Sequence, residues 1–298
     1  MFFYRKRVAP EQVNLSLLRG ISALLSMQQP DGSFPVYKRV RLKPWKECHS
    51  LFSTVTVLLA VASLLPDQAV SKAVNFILNC RRDDGTWVFD PDYGIPVDSD
   101  DTACSLAALA RYDISLVNNA DVNLLRSFWR LDGGPFRTWQ ADGVWSGRDH
   151  DDAVVNCNIL HALNELGTEP THGEVNAVLN LIQGSIDGCR YYCSPLTIGY
   201  AAIRAGLAME SLPVNVTNRP IPENGILPTA QWLSIVRQWD ENAVAYLISR
   251  QSKKGHWTIE SWFTGIAKPI PVWGSSAIST ALCIEALHYS IRGITRAA

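Results

Sequence analysis

The sequence predicts an all-α protein built as a single α/α barrel of concentric inner and outer helices, and three observations carry that expectation. One turn pattern recurs along the whole chain. Each copy follows an amphipathic helix and precedes a more apolar one. Strand signals are scarce.

The repeat is plainest in "LLSMQQPDGSF" (24–34), "FILNCRRDDGTW" (76–87) and "YLISRQSKKGHW" (246–257). Each ends an amphipathic helix, then gives a polar turn, a Gly, one residue and an aromatic. A looser copy ends "RLDGGPF" (130–136) and a degenerate one ends "GSIDGCR" (184–190). Gly32, Gly85, Gly134, Gly188 and Gly255 therefore recur at about 50 to 65 residues, the length of a helical hairpin with its loops. The Gly suits a left-handed helix C-cap, and the aromatic can fold back on the helix it follows.

After each turn comes a second helix: "HSLFSTVTVLLAVASL", "DSDDTACSLAALARY", "DDAVVNCNILHALNELG", "SPLTIGYAAIRAGLAM" and "GSSAISTALCIEALHYS". These are rich in small residues and nearly free of charge after the first turn, as suits helices packed between neighbours. The five pairs predict an outer amphipathic layer around an inner buried one. No alternating apolar run marks a strand, and "LPVNVTNRPIPENGILPTA" (212–230) reads as a Pro-rich excursion between pairs. The whole chain, 1–298, reads as one domain.

Composition narrows the function. Hydrophobic residues make up 47% of the chain and charged residues 18%, with a formal net charge of -1. That describes a soluble globular protein without the basic footprint of a nucleic-acid binder. Seven cysteines without a CxxC pair suggest reduced thiols and a cytoplasmic setting. The N-terminus "MFFYRKRVAP" is too short for a signal peptide, and the apolar run at 55–65 is too short to span a bilayer. Attachment to one membrane face stays open. The run "KRVRLKPWKE" (38–47) holds five cations, either as a solvated loop or as a site for an anionic group or membrane face.

If every inner helix follows the same kind of turn, all of them start at one end of the cavity. The residues gathered there are His49 and Ser50; Asp98, Asp100 and Asp101; Asp149, His150, Asp151 and Asp152; Tyr191, Tyr192 and Ser194; Trp273 and Ser275. Polar and aromatic groups converging on one mouth have the composition of a binding site. His49, Asp100, His150, Tyr191 and Trp273, from five repeats, are expected to surround one apolar pocket, roughly 300–1,000 Å³ as for ligand sites in general.

"DSDD" (98–101) is the sharpest signal. One Asp at a helix start is an ordinary N-cap. Three in four residues exceed capping, and beside a solvated cap they leave two chemical readings. Clustered carboxylates can hold Mg²⁺ against a phosphate. Alternatively, crowded carboxyls cannot all ionise, so one keeps a proton and can serve as a general acid.

Taken with the recurring turns, "DSDDTA" resembles the DxDDTA signature of class II terpene cyclases, and "YLISRQSKKGHW" and "LLSMQQPDGSF" resemble the QW motifs of the squalene–hopene cyclase superfamily. The resemblance covers nearly the whole chain but only one barrel, which is similar to a monodomain class II cyclase. It implies that Asp100, the middle Asp, protonates an alkene of a folded isoprenoid or prenylated aromatic. Asp98 and Asp101 would hold the acid by hydrogen bonds, and aromatic faces would stabilise the migrating cation. It implies no cofactor, with Mg²⁺ needed only if the substrate is a diphosphate. In hopene cyclases an Asp-x-x-x-His pattern supplies the acid's partner. Here that stretch reads "DAVVN", so the partner is expected to be Asn156 or His150, with Asn158 two positions further on.

His49, Phe52, Tyr191, Tyr192 and Trp273 are the expected substrate contacts. Trp87 and Trp257 are expected to close turns at the end away from the mouth, and Trp129, Trp232 and Trp239 to pack in outer helices. "IDGCRYY" raises one alternative, because Asp187 and Cys189 resemble zinc ligands of prenyltransferase β-subunits. The third ligand is missing: "PVWGSS" has no His, and His256 is expected in a turn at the other end. A non-catalytic isoprenoid-binding barrel is the other alternative. A buried acid would be of no use to it.

Overall fold

A computed structural model of the chain describes residues 8–92, 96–140, 151–185, 189–220, 225–265 and 268–297. Helices α2 (Phe52–Val61), α4 (Ser99–Tyr112), α6 (Ala153–Glu165), α8 (Leu196–Arg204), α9 (Ile226–Val236) and α11 (Ser276–Ala297) pack each on the next, and α11 returns to α2. Around this circuit lie α1 (Pro10–Met27) on α11, α3 (Asp67–Asn79) between α2 and α4, α5 (Asn119–Ser127) between α4 and α6, α7 (His172–Gly184) on α6, and α10 (Glu241–Arg250) on α9 and α11.

Burial separates the two sets as the residue types require. On α4, every residue from Ser99 to Ala110 is buried. On α3 only Ala69, Val70, Ala73, Val74 and Ile77 are, one stripe at helical spacing with polar residues on the open face.

The recurring turn is a clamp with three jaws. In the first, Gln28 donates to the carbonyls of Gly32 and of Ala69 on the next outer helix, at 3.1 and 2.8 Å. In the last, Gln251 donates to Gly255 and to Ser16 on α1, joining the end of the chain to its start. Arg81 takes this place in the second turn, bonding Gly85 and Asp121 of α5. The glycine must be Gly: Gly32 and Gly255 have φ of +95° and +92°, and an added Cβ would strike the carbonyls of Lys72 and Arg19. Finally the aromatic residue's backbone N–H is fixed by a side chain inside the next inner helix. Phe34 bonds Thr54, Trp87 bonds Thr102, Phe136 bonds Asn156 and Trp257 bonds Thr280.

These bonds correct the expected position of Trp87 and Trp257. A turn from the end of an outer helix to the start of an inner one lies at the inner helix's N-terminal end. Trp87 even accepts the backbone N–H of Asp98. Both indoles are buried at the mouth end rather than opposite it, and the half-buried His256 beside Trp257 is at that end too.

The end of the stretch predicted as an excursion begins α9, which adds a sixth inner helix to the five expected, and Trp232 is on it rather than in an outer helix. Short 3-10 turns at 209–211 and 214–216 stand where an outer helix would be. Glu260 caps α9 by accepting the N–H groups of Ile226 and Leu227, at 2.8 and 2.9 Å.

Strands are also present. β1 (Val36–Val40), β2 (Lys46–Cys48), β3 (Ser261–Thr264) and β4 (Pro271–Gly274) form an antiparallel sheet in the order β2-β1-β4-β3. It joins the loop between α1 and α2 to the loop between α10 and α11. Its β3 edge holds the loop before α8: Thr264 donates to Tyr191, and Cys193 to Trp262. No described helix is long and apolar enough to cross a membrane, and all seven cysteines are free thiols.

Candidate active site

Asp98 is the N-cap of α4: its Oδ1 accepts the Asp100 N–H at 2.8 Å. The capping account thus holds for Asp98, and the Trp139 indole donates to it as well. It does not extend to its neighbours. Asp100 and Asp101 are in the first helical turn, 6% and 1% exposed, and point into the protein instead of capping it.

Asp100 is held from two other elements. Asn158 of α6 donates to Oδ1 at 2.8 Å. Tyr192, in the loop before α8, donates its hydroxyl to Oδ2. The Cys104 thiol, one turn along α4, reaches Oδ1 at 3.8 Å. Asp101 has no such help, and its buried Oδ1 has no hydrogen-bond partner among the described residues.

The three carboxyls consequently hold protons far above the ordinary carboxyl range. Burial is the main cause for each. It pushes Asp100 up to about 6, with Tyr192 and Asn158 pulling in the opposite direction because they stabilise its anion. Asp98 is pushed up to about 8 by burial and then by the charge of Asp100. Asp101 is raised well above the usual carboxyl range, by burial and by the charges of both neighbours. The cluster carries fewer than three charges near neutrality, and in Asp100 the side chains of Asn158 and Tyr192 are prepared for the conjugate base.

Asp152 joins the two supports. Its Oδ1 caps α6 through Val154 and Val155, at 2.8 and 3.2 Å, and its Oδ2 accepts the Arg190 and Tyr191 N–H groups at 3.1 and 3.4 Å. One buried carboxyl thereby fixes both the helix bearing Asn158 and the loop bearing Tyr192.

Aromatic rings run from the acid across the mouth. The Tyr192 ring lies 4.9 Å from Phe263, which meets Phe52 edge-on at 4.4 Å and Phe89 at 5.3 Å. Phe89 meets Trp273 edge-on at 5.3 Å, and Trp262 closes on Tyr192 at 6.0 Å. All six are buried. On the other side of the acid, Tyr191 lies 5.4 Å from Trp139.

The expected residues thus divide. Asp98, Asp100, Asp101, Phe52, Tyr192 and Trp273 belong to one continuous acid and aromatic cluster, and Tyr191 borders it. Asn156 does not touch Asp100; it clamps Phe136 and the Asp152 carbonyl, and the donor is Asn158. His150 lies outside the described residues, as does Asp187. His49 is exposed and lines a separate cavity of about 510 Å³ with Phe34, Cys48, Leu51 and Phe76. It is not brought to the acid. Phe89, Trp139, Trp262 and Phe263 were missed. Phe89 was legible as the second residue after a turn aromatic, whereas Trp262 and Phe263 depend on the sheet and Trp139 on an isolated bridge to Asp98. Among the described residues no three His, Cys, Asp or Glu side chains stand together as a metal site.

No family's sequence profile matches the chain, and no curated protein matches it in sequence. Solved structures do. The type II terpene cyclase MstE from Scytonema superposes with a TM-score of 0.71 at 15% identity, covering 96% of this chain and 99% of that one. A variant of MstE in complex with geranylgeranyl dihydroxybenzoate, its substrate, gives 0.70 at 16% identity, over 95% and 99%. An ent-copalyl diphosphate synthase from Streptomyces platensis gives 0.55 at 18% identity, over 80% of this chain and 50% of that one. At such identities the likeness establishes a shared fold.

Proposed function

We propose that the chain is a class II, protonation-initiated terpene cyclase, a single α/α-barrel domain spanning 1–298. Asp100 is its general acid. The substrate is a linear isoprenoid or a prenylated aromatic acid, of which geranylgeranyl dihydroxybenzoate, the substrate of MstE, is the compound to try first. The observation that carries the reading is a buried Asp100 with a raised pKa, two donors on its carboxyl and aromatic rings beside it.

The chemistry follows from that geometry. An alkene is a poor base, so its protonation needs an acid whose anion is stabilised before the proton leaves. Each carboxyl oxygen has two acceptor sites. Asn158 and Cys104 take those of Oδ1 and Tyr192 takes one on Oδ2, leaving Oδ2 a free position from which to direct the proton toward a bound chain. As the proton moves to the alkene carbon, the π pair forms the new C–H bond and a tertiary cation appears at the neighbouring carbon. The next alkene attacks that cation and closes a ring. Ring faces of Tyr192, Phe263, Phe52, Phe89 and Trp273 can stabilise the positive charge as it moves away. Proton transfer itself uses no metal; Mg²⁺ would serve only a diphosphate handle.

The test is product mass and structure. Cyclisation gives a product of unchanged mass with fewer alkenes by NMR. A recovered, unaltered isoprenoid bound to the protein would favour the binding-barrel alternative instead.

The two donors make a further prediction. Hydrogen bonds to a charged group contribute about 1.5–3 kcal/mol. Tyr192→Phe or Asn158→Leu should therefore slow turnover roughly 10- to 100-fold. Each removes a donor that favours the anion, so Asp100's pKa rises and the falling limb of the rate–pH curve moves to higher pH. Asn156→Thr, which restores the residue used at the same place in three other repeats, should leave that limb in place. Equal pH profiles for all three variants would remove Tyr192 and Asn158 from the acid.

A further inference from the structure

We infer that the paired hairpin tips of the four-stranded sheet form a docking edge for an anionic lipid surface.

The register places the tips together. Val40, the last residue of β1, pairs with Pro271, the first of β4, so the turn leaving β1 and the connection entering β4 emerge side by side. The first tip carries Arg41, Leu42 and Lys43, and the second Lys268, Pro269 and Ile270. Leu42 is 101% exposed and Ile270 48%. Arg41 has a φ of +54°, and Lys43 donates to Val40 at 3.2 Å, so the first tip is a tight, shaped turn. At its base the Arg39 guanidinium stacks on the Trp45 ring at 4.4 Å, which keeps that half-buried indole beside the tip.

Charge selects the partner. Residues 38–46 contain five cations and no acid, and Lys268 adds a sixth, in a chain with a net charge of -1. Arg41, Lys43, Lys46 and Lys268 are exposed and form no ion pair among the described residues. Cations surrounding protruding aliphatic side chains suit a headgroup layer, where the charge meets anionic phosphates and the aliphatic tips enter the acyl boundary. A purely polyanionic partner such as a nucleic acid would leave Leu42 and Ile270 without a role. The edge is continuous with the aromatic cluster, because β4 runs from Pro271 at the tip to Trp273 in three residues. An apolar chain drawn from the lipid therefore meets the mouth directly.

The experiment is co-sedimentation of the full chain with vesicles of phosphatidylcholine alone or with 30% phosphatidylserine, without substrate. Binding should be at least tenfold tighter to the anionic vesicles and should weaken at least tenfold in 0.5 M NaCl. Lys43→Glu with Lys268→Glu should lose the salt-sensitive part, and Leu42→Asp should lose at least tenfold with an unchanged melting temperature. Lys253→Glu with Lys254→Glu, a control on exposed cations of another turn, should bind as the wild type does. Equal binding to both vesicle types, a Leu42→Asp variant that binds normally, or an equal loss in the control would overturn the inference. Asp100→Asn should bind vesicles normally, so docking can fail or succeed independently of the cyclase reading.

Discussion

Asp100→Asn is expected to give a folded protein that has lost about 10²–10⁴-fold in cyclisation rate, the contribution of a positioned general acid. Asn has nearly the shape of Asp and can still accept from one of the two donors, but it carries no acidic proton. Its effect on stability should have the opposite sign. The carboxyl loses its proton near 3.8 when unfolded and about 6 when folded. Between those values the folded state holds a proton that the unfolded state has released. The stabilisation present below pH 3.8 is therefore lost as pH rises to about 6. An Asn at this position does not titrate, so the variant's melting temperature should gain on the wild type from pH 4 to 6 and keep that gain above. Turnover within tenfold of wild type would place the proton source elsewhere. A melting difference independent of pH would show that Asp100 is not strained by ionisation.

The rate itself should fall as pH rises through about 6 to 8, where the carboxyls give up their protons. Those protons are shared among three interacting groups, so the midpoint belongs to the cluster and not to Asp100 alone. A profile flat from pH 5 to 9 would contradict a carboxyl acid.

What made this site legible was local, and what hid it was not. Three Asp before an apolar run of small residues announce a buried helix start within one short stretch, and the repeated turns announce the layered helices. The partners of Asp100 come from α6 and from the loop before α8, 58 and 92 residues away. Counting along one helix offered Asn156 beside His150, and Asn156 is two positions short of Asn158. Comparing the repeats would have separated them, since Asn156 aligns with Thr54, Thr102 and Thr280 as the side chain that holds a turn aromatic. The same comparison explains the Thr of "DDTA" as a clamp for Trp87. The end of the helix circuit holding Trp87 and Trp257 was also derivable, from chain direction alone. α9 was concealed by Pro228 and its Pro-rich approach. The sheet was concealed by strands of three to five residues whose pairing joins positions more than 200 apart.

Trp257→Ala should be among the most destabilising single changes, because one indole serves three elements. It is fully buried, it lies against Gly20 of α1, and its backbone is held by Thr280 of α11. Its Nε1 donates to the Leu247 carbonyl at 2.7 Å. Gln251, which would otherwise close the last turn of α10 onto that carbonyl, donates to Ile248 instead. Removing the ring leaves a cavity, at about 3–5 kcal/mol for a buried Trp. It also strands a buried acceptor, at about 1–3 kcal/mol more. Total stabilities are about 5–15 kcal/mol, so much of the margin would be gone. The melting temperature should drop by roughly 10–30 °C, at about 2–4 °C per kcal/mol in chains of 150–250 residues. Trp257→Phe keeps most of the volume and should lose only the smaller, hydrogen-bonding part. Because this turn joins α10 to α1, the damage is to closure of the helix circuit and not to the acid. Trp257→Ala should therefore regain near-normal activity well below its melting temperature, whereas Asp100→Asn should not at any temperature. If Trp257→Ala melted within about 2 °C of the wild type, the indole would be packing, not closing, the ring.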